Sequence, residues 1–130
     1  MKQLNYSCKR EAIYNYLASV KTHPSAETVY EALKSKYPDL SLGTVYRNLA
    51  MFKKNGTICS VGVVDGEERY DFNTEPHAHF ICTDCNCIID LENMQIDKHL
   101  DYAVQEAYNI DVYYHQLVFF GKCDRCKLKD

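Results

Sequence analysis

Apolar residues change their spacing once along this chain of 130 residues, just after Gly56. Before that glycine they recur at helical spacing behind serine residues, which predicts three helices with serine caps. The predicted helices cover residues 7–20, 25–36 and 41–55. Beyond Gly56 the pattern suits strands over residues 58–64 and 67–72, and Asp65-Gly66 between them is a typical hairpin turn.

Three helices followed by a β-hairpin predict a winged helix-turn-helix, whose third helix would lie in the major groove of DNA. The predicted buried face of that helix consists of Leu42, Val45, Leu49 and Phe52. Arg47 is the best donor to a guanine edge or a phosphate, and the other candidate DNA contacts are Thr44, Tyr46 and Asn48. Many small helical domains share this pattern without binding DNA, so the pattern alone leaves both interpretations equally open.

A short polar segment, residues 73–76, is the predicted linker between two domains at residues 1–72 and 77–130. The second domain should be a small α/β module, which makes the whole chain α+β. Its predicted elements are strands over 78–82, 87–91 and 111–120 and a helix over about 94–108. The apolar stripe of that helix consists of Ile96, Leu100, Ala103, Val104 and Ala107. The last strand is aromatic on both faces, so we expect one face to pack against a second copy in a homodimer.

Charge also divides the chain near its middle, although the net charge is only −3. Residues 1–60 carry nine basic and four acidic residues, whereas residues 61–130 carry six basic and fourteen acidic residues. Nucleic acid is the natural partner of the first half and cations of the second, although a solvated basic surface fits equally well. No apolar run approaches ~20 residues and no signal peptide is recognisable at the start, so we expect a cytoplasmic protein without a membrane segment.

Seven cysteines would leave one unpaired in a disulfide framework, and paired Cys-x-x-Cys motifs favour metal binding in a reducing compartment. Together the two motifs supply four thiolates for a closed structural zinc site: Cys82, Cys85, Cys123 and Cys126. Two reactive dithiols are the alternative, but a thioredoxin-like sequence context is missing. Cys87 is ambiguous, because it can also pair with Cys85. Cys8 and Cys59 are expected to be small buried residues.

A second metal chemistry lies beside the first Cys-x-x-Cys motif. His77 and His79 alternate along a predicted strand, so their imidazoles should face the same way, and Asp90 leaves the neighbouring strand within reach. A His-x-His pair alone is more often a surface feature. Next to a zinc motif and a carboxylate, however, it favours a site for a borderline ion such as Fe or Mn.

Over essentially its whole length the chain resembles the ferric uptake regulator (Fur) superfamily of metal-dependent bacterial repressors. The resemblance rests on His23-Pro24, the run from Ser41 to Leu49, Arg69 to Phe72, His77 to Cys82, the two Cys-x-x-Cys motifs and Ile88 to Leu91. It implies the structural zinc site above, and a regulatory Fe(II) or Mn(II) site formed by His23, Asp71, His77, His79 and Asp90. It further implies a homodimer on a palindromic DNA operator. A DNA-contacting leading helix of longer relatives is expected to be reduced or absent here, and Lys9 and Arg10 would partly replace it.

Within the superfamily the chain most resembles the peroxide-stress (PerR-type) repressors, which usually have aspartate at the position of Asp90. In that class iron-catalysed oxidation of a ligand histidine releases DNA, and the positions correspond to His23 and His77. Regulators of iron, manganese or zinc uptake are the nearest alternative. Asp97 and His115 resemble part of an additional metal site. A zinc-stabilised interaction module without a DNA role is a less favoured alternative. A small metalloenzyme is the least favoured, because no general base with a substrate pocket is evident.

Overall fold

The computed structural model describes residues 6–129 and divides the chain into two units. The first unit ends at Thr74 and the second begins at Glu75, within the polar segment 73–76. Across residues 6–129 no helix combines the length and the apolar character that a membrane crossing requires.

Three helices form most of the first unit: α1 (Tyr6–Ser19), α2 (Ala26–Leu33) and α3 (Leu42–Lys54). The side chains of Ser25 and Ser41 accept hydrogen bonds from the backbone N–H groups of Thr28 and Thr44, so both predicted caps are confirmed. Ser7, by contrast, lies inside α1. The second helix ends at Leu33 and not at residue 36, because the next residues form a turn on the Leu33 carbonyl.

A β-hairpin completes the first unit, with β1 (Cys59–Val64) antiparallel to β2 (Glu67–Asp71). Asp65 and Gly66 both adopt positive φ, 51° and 80°, as a type I′ turn requires. Gly56, at φ 78°, follows the end of α3 in the left-handed conformation that glycine adopts most readily. Helix and hairpin positions therefore agree with the winged-helix prediction.

The core of this unit is apolar and is drawn from the three helices, from β2 and from the segments just before α3 and β1: Ile13, Leu17, Ala26, Val29, Leu40, Val45, Leu49, Phe52, Ile58 and Tyr70. The predicted buried face of α3 is wrong at Leu42, which is 36% exposed, because the face passes instead through Thr44 and Asn48. Cys8 is exposed and Cys59 half-buried, so the expectation that both are core residues is also wrong.

The second unit contains a three-stranded sheet in the order β4-β3-β5. Its strands are β3 (Ala78–Cys82), β4 (Ile88–Leu91) and β5 (Val118–Gly121), and its helices are α4 (His99–Tyr108) and α5 (Asp124–Lys127). Strand β4 runs antiparallel to β3, and β5 runs parallel to it. This topology brings the ends of β3 and β5, and with them the two Cys-x-x-Cys motifs, to one edge of the sheet.

Two predictions for this unit need correction. The helix expected from about residue 94 begins at His99, because a turn follows β4 and the Asp97 carboxylate accepts a hydrogen bond from the His99 N–H. The strand expected over 111–120 is short, since among the described residues only 118–121 pair with β3. An aromatic pattern predicts strand character but not a strand partner.

Candidate metal centres and nucleic-acid interface

The four cysteines of the two Cys-x-x-Cys motifs converge in the second unit. Cys82 ends β3, Cys85 lies in the following turn, Cys123 precedes α5 and Cys126 lies within it. The sulfur of Cys82 is 3.7 Å from that of Cys126, and the sulfur of Cys85 is 3.8 Å from that of Cys123. A zinc ion about 2.3 Å from four tetrahedral sulfurs would separate them by about 3.8 Å. The two distances therefore match two edges of such a tetrahedron.

Backbone amides favour the charged form of two of these thiols, Cys82 and Cys123. The N–H groups of Cys85 and Cys123 lie 3.5 Å and 3.4 Å from the Cys82 sulfur, and this lowers the pKa of Cys82 to about 6. The neighbouring Cys123 sulfur, together with burial, raises the pKa of Cys126 to about 12. The backbone N–H of Cys126 lowers the pKa of Cys123 as well. A cluster in which some thiols favour the thiolate and Cys126 favours the protonated form fits a cation, because a bound metal supplies the charge that deprotonates the latter.

Cys87 is a fifth cysteine of this cluster. Its sulfur and those of Cys82, Cys85 and Cys123 all lie within 4.8 Å of one another. Burial raises the pKa of the half-buried Cys87 thiol to about 12. The spacing Cys85-x-Cys87 was a signal for this proximity, but it could not tell whether the side chain points into the cluster.

In the first unit, His23 and Asp71 form a buried pair, with His23 Nε2 3.3 Å from an Asp71 carboxylate oxygen. His23 adopts a positive φ of 55°. Arg69 on β2 donates hydrogen bonds to the carbonyls of His23 and Thr22, the latter at 2.9 Å. These contacts hold the loop against the hairpin. Arg69 was noted only as part of a family motif, and its contact with this loop was missed, since a bond to a backbone carbonyl leaves no residue pattern.

In the second unit, two imidazoles meet one carboxylate. The Nε2 atoms of His77 and His79 lie 2.9 Å and 3.2 Å from the same Asp90 oxygen. His79 and Asp90 are directly opposite in the β3–β4 ladder, and the two rings are 4.3 Å apart between centroids. The predicted convergence of these three side chains is therefore present. Imidazole nitrogens and a carboxylate oxygen aimed at one point fit a borderline divalent metal.

The additional pair, Asp97 and His115, has different hydrogen-bond partners. Asp97 caps α4 through the His99 N–H, whereas His115 Nδ1 lies 2.6 Å from an Asp101 oxygen on the same helix. The partial metal site at Asp97 and His115 stays a prediction.

The predicted DNA contacts on α3 divide into buried and exposed residues. Asn48 is fully buried and donates to the Thr44 carbonyl at 2.9 Å, and Thr44 itself is buried. The prediction that these two side chains contact DNA directly therefore needs correction, since both belong to the packed face of the helix. Tyr46 and Arg47 are exposed, and Arg47 donates to the Thr44 hydroxyl at 3.1 Å. Lys9 and Arg10 are half-buried on α1.

Comparison with known proteins agrees with these features. The model of the ferric uptake regulator family matches residues 1–120. The chain belongs to that family. Because the family consists of transcriptional regulators, the protein is a regulator and not an enzyme.

The similar proteins include both peroxide-responsive regulators and a ferric uptake regulator. The chain is 38% identical to the peroxide-responsive repressor PerR of Staphylococcus epidermidis, over 92% of this chain and 79% of that protein. Among solved structures it resembles the Helicobacter pylori ferric uptake regulator, with TM-score 0.75 and 26% identity over 95% and 83% of the two chains. It also resembles the Campylobacter jejuni peroxide stress regulator, with TM-score 0.73 and 25% identity over 93% and 90%.

Proposed function

We propose that the protein is a PerR-like, metal-dependent repressor in the cytoplasm, which binds a palindromic operator as a homodimer and senses peroxide. The observation that carries this proposal is the convergence of His77 and His79 on Asp90, an aspartate where iron-responsive relatives usually have glutamate. Identity of 38% to a peroxide-responsive repressor supports it.

The proposed switch consists of ligands contributed by both units. His23 and Asp71 would provide the ligands of the first unit, and His77, His79 and Asp90 those of the second. A single Fe(II) or Mn(II) ion held by all five would fix the angle between the units, and with it the spacing of two recognition helices in a dimer. Metal would then favour DNA binding, because the ion has higher affinity for the conformation in which all five ligands reach it.

Peroxide sensing would remove part of this ligand set. The five ligands would hold Fe(II), which would supply the electron that reduces peroxide beside them. His23 and His77 are the proposed oxidation targets, and an oxidised imidazole is a poorer ligand. His23 belongs to the first unit and His77 to the second. Oxidation of either would therefore break the metal link between the units, and the protein would dissociate from the operator.

A separate Zn²⁺ ion is proposed to have a structural role. Its ligands would be Cys82, Cys85, Cys123 and Cys126, whose sulfur separations of 3.7 Å and 3.8 Å suit a tetrahedral thiolate site. The site would join the first strand of the second unit to the end of the chain, so zinc would contribute directly to folding.

The DNA and dimer surfaces are proposed from exposed side chains. Arg47 and Tyr46 on α3 would contact the operator, with Lys9 and Arg10 adding charge from α1, while Thr44 positions the Arg47 guanidinium. For the dimer, α4 has no buried residue, and Leu100 on it is 53% exposed. An apolar face of this kind fits a second copy of the chain.

One experiment tests the peroxide proposal. Zinc-loaded protein on a palindromic DNA is titrated with Fe(II) or Mn(II), treated with peroxide, and mapped for added oxygen by mass spectrometry. We expect DNA release with iron but not with manganese, with oxygen added at His23 or His77. A His115→Asn variant, altered outside the proposed ligands, should behave like wild type. No oxidation at either histidine, with DNA binding unaffected by peroxide, would contradict the proposal.

A regulator of iron, manganese or zinc uptake is the second candidate, favoured by the structural likeness to the Helicobacter pylori ferric uptake regulator. It uses the same residues without the oxidation step. DNA binding that depends on one of these metals and persists after peroxide would assign this function.

A further inference from the structure

Five cysteine sulfurs share one corner of the second unit, although a tetrahedral zinc site uses four. Cys82, Cys85, Cys87 and Cys123 lie within 4.8 Å of one another, and Cys126 lies 3.7 Å from Cys82. Cys87 is thus close enough to join the site without a rearrangement of the sheet.

The backbone holds Cys87 in place independently of α5, the helix that contains Cys126. Cys87 immediately precedes β4, and its carbonyl accepts a hydrogen bond of 3.0 Å from the Cys82 N–H. Cys126, in contrast, lies in α5, a helix of four residues near the end of the chain. The fifth thiol is therefore held by the sheet, and the thiol it could replace lies in a helix of four residues.

We propose that the zinc site of this protein can use two alternative sets of four thiolates, in which Cys87 and Cys126 exchange as the fourth ligand. Cys82, Cys85 and Cys123 are common to both sets. The inference rests on the proposed zinc site and adds a fifth residue to it.

The exchange is chemically balanced. Zinc has no ligand-field preference, so a shift of one sulfur within a tetrahedral set meets no electronic penalty. When the Cys87 sulfur binds, its thiol releases one proton, and the departing Cys126 thiolate takes up one. Charge and coordination number stay the same. The alternative interpretation is that Cys87 is only a small side chain packed against the cluster, and then the loss of Cys126 would open the site.

The test compares zinc content after dialysis against EDTA, measured by elemental analysis on the full chain. Wild type, Cys87→Ser, Cys126→Ser and the matched control Cys59→Ser, which lies outside the cluster, should each keep about one zinc per chain. Cys123→Ser and the double variant Cys87→Ser/Cys126→Ser should lose zinc. In zinc-loaded Cys126→Ser, iodoacetamide should modify Cys87 only after the metal is removed.

The outcomes separate the two proposals. Wild type without zinc would overturn the zinc site itself. Wild type with zinc and Cys126→Ser without it, or insoluble while Cys87→Ser folds, would overturn only the exchange. Zinc retained in Cys123→Ser, or in the double variant, would also overturn it, because a common ligand or both alternatives would then be dispensable.

Discussion

The two units of the protein differ in the residues that form their buried clusters. The first unit packs aliphatic and aromatic residues from all three helices and the hairpin into one apolar core. The second unit buries Cys82, Cys123 and Cys126 as a cluster of their own, and α4 contributes no buried residue. Hydrophobic burial can therefore account for the first fold, whereas the second, over residues 75–130, is small enough to need metal or a partner.

The largest expected effect is loss of a zinc ligand. Replacing Cys123 by Ser should unfold the second unit and leave the first folded, since structural zinc contributes on the order of 10 kcal/mol to the folding of small domains. Heteronuclear NMR would show collapsed signals beyond residue 74 and dispersed signals before it. The control is Cys8→Ser, at an exposed site outside the cluster. Unfolding of both units together would contradict the claim that zinc stabilises only the second unit.

A core truncation should have the opposite pattern. Leu49 is fully buried in the first unit, so Leu49→Ala should lower its free energy of unfolding by about 2–5 kcal/mol. Zinc content should not change. Leu42→Ala, on the same helix but exposed, should cost less than about 1 kcal/mol in urea unfolding followed by circular dichroism. Equal costs at both positions would show that the core assignment is wrong.

A charge on α4 tests whether a second copy covers that helix. Leu100→Glu should weaken self-association at least tenfold, because about 1.4 kcal/mol of lost apolar burial suffices for that change. Sedimentation velocity at a series of concentrations measures it. Leu128→Glu, also exposed in the second unit, should leave association unchanged. A dimer that tolerates Leu100→Glu would place the interface elsewhere.

The smallest expected effect concerns a helix cap. Ser41 accepts the Thr44 N–H at 3.1 Å, and Ser41→Ala should cost about 1 kcal/mol of first-unit stability. Ser41→Asp, which retains an acceptor, should restore most of that loss. If Asp and Ala were equally destabilising in thermal unfolding, the cap would not explain the effect.

The sequence predicted most of this architecture because its strongest signals are local. The caps at Ser25 and Ser41, the Asp65-Gly66 turn and the Cys-x-x-Cys spacings each specify a local geometry that is present in the structure. Errors arose where neighbours distant in sequence decide the outcome. Thr44 became buried through packing on α3. The strand expected from residue 111 found a partner only at 118–121.

The candidate metal ligands also differ in how far local sequence patterns predict them. Within the second unit, strand alternation and pairing place His79 opposite Asp90, so short-range geometry was enough. For His23, a loop residue at positive φ, no periodic pattern exists, and only the family resemblance pointed to it. Its pairing with Asp71 at 3.3 Å depends on the loop packing against the hairpin, which spacing along the chain does not encode.

The most direct test of the account is the operator affinity of zinc-loaded protein as a function of Mn(II), compared between wild type and His23→Ala. We predict that Mn(II) strengthens wild-type binding about 5- to 150-fold, a typical allosteric coupling, and leaves the variant unchanged. The variant should still bind Mn(II) through His77, His79 and Asp90 in calorimetry, and His115→Ala should match wild type. An equal gain in DNA affinity for His23→Ala would contradict the proposal that the metal links the two units.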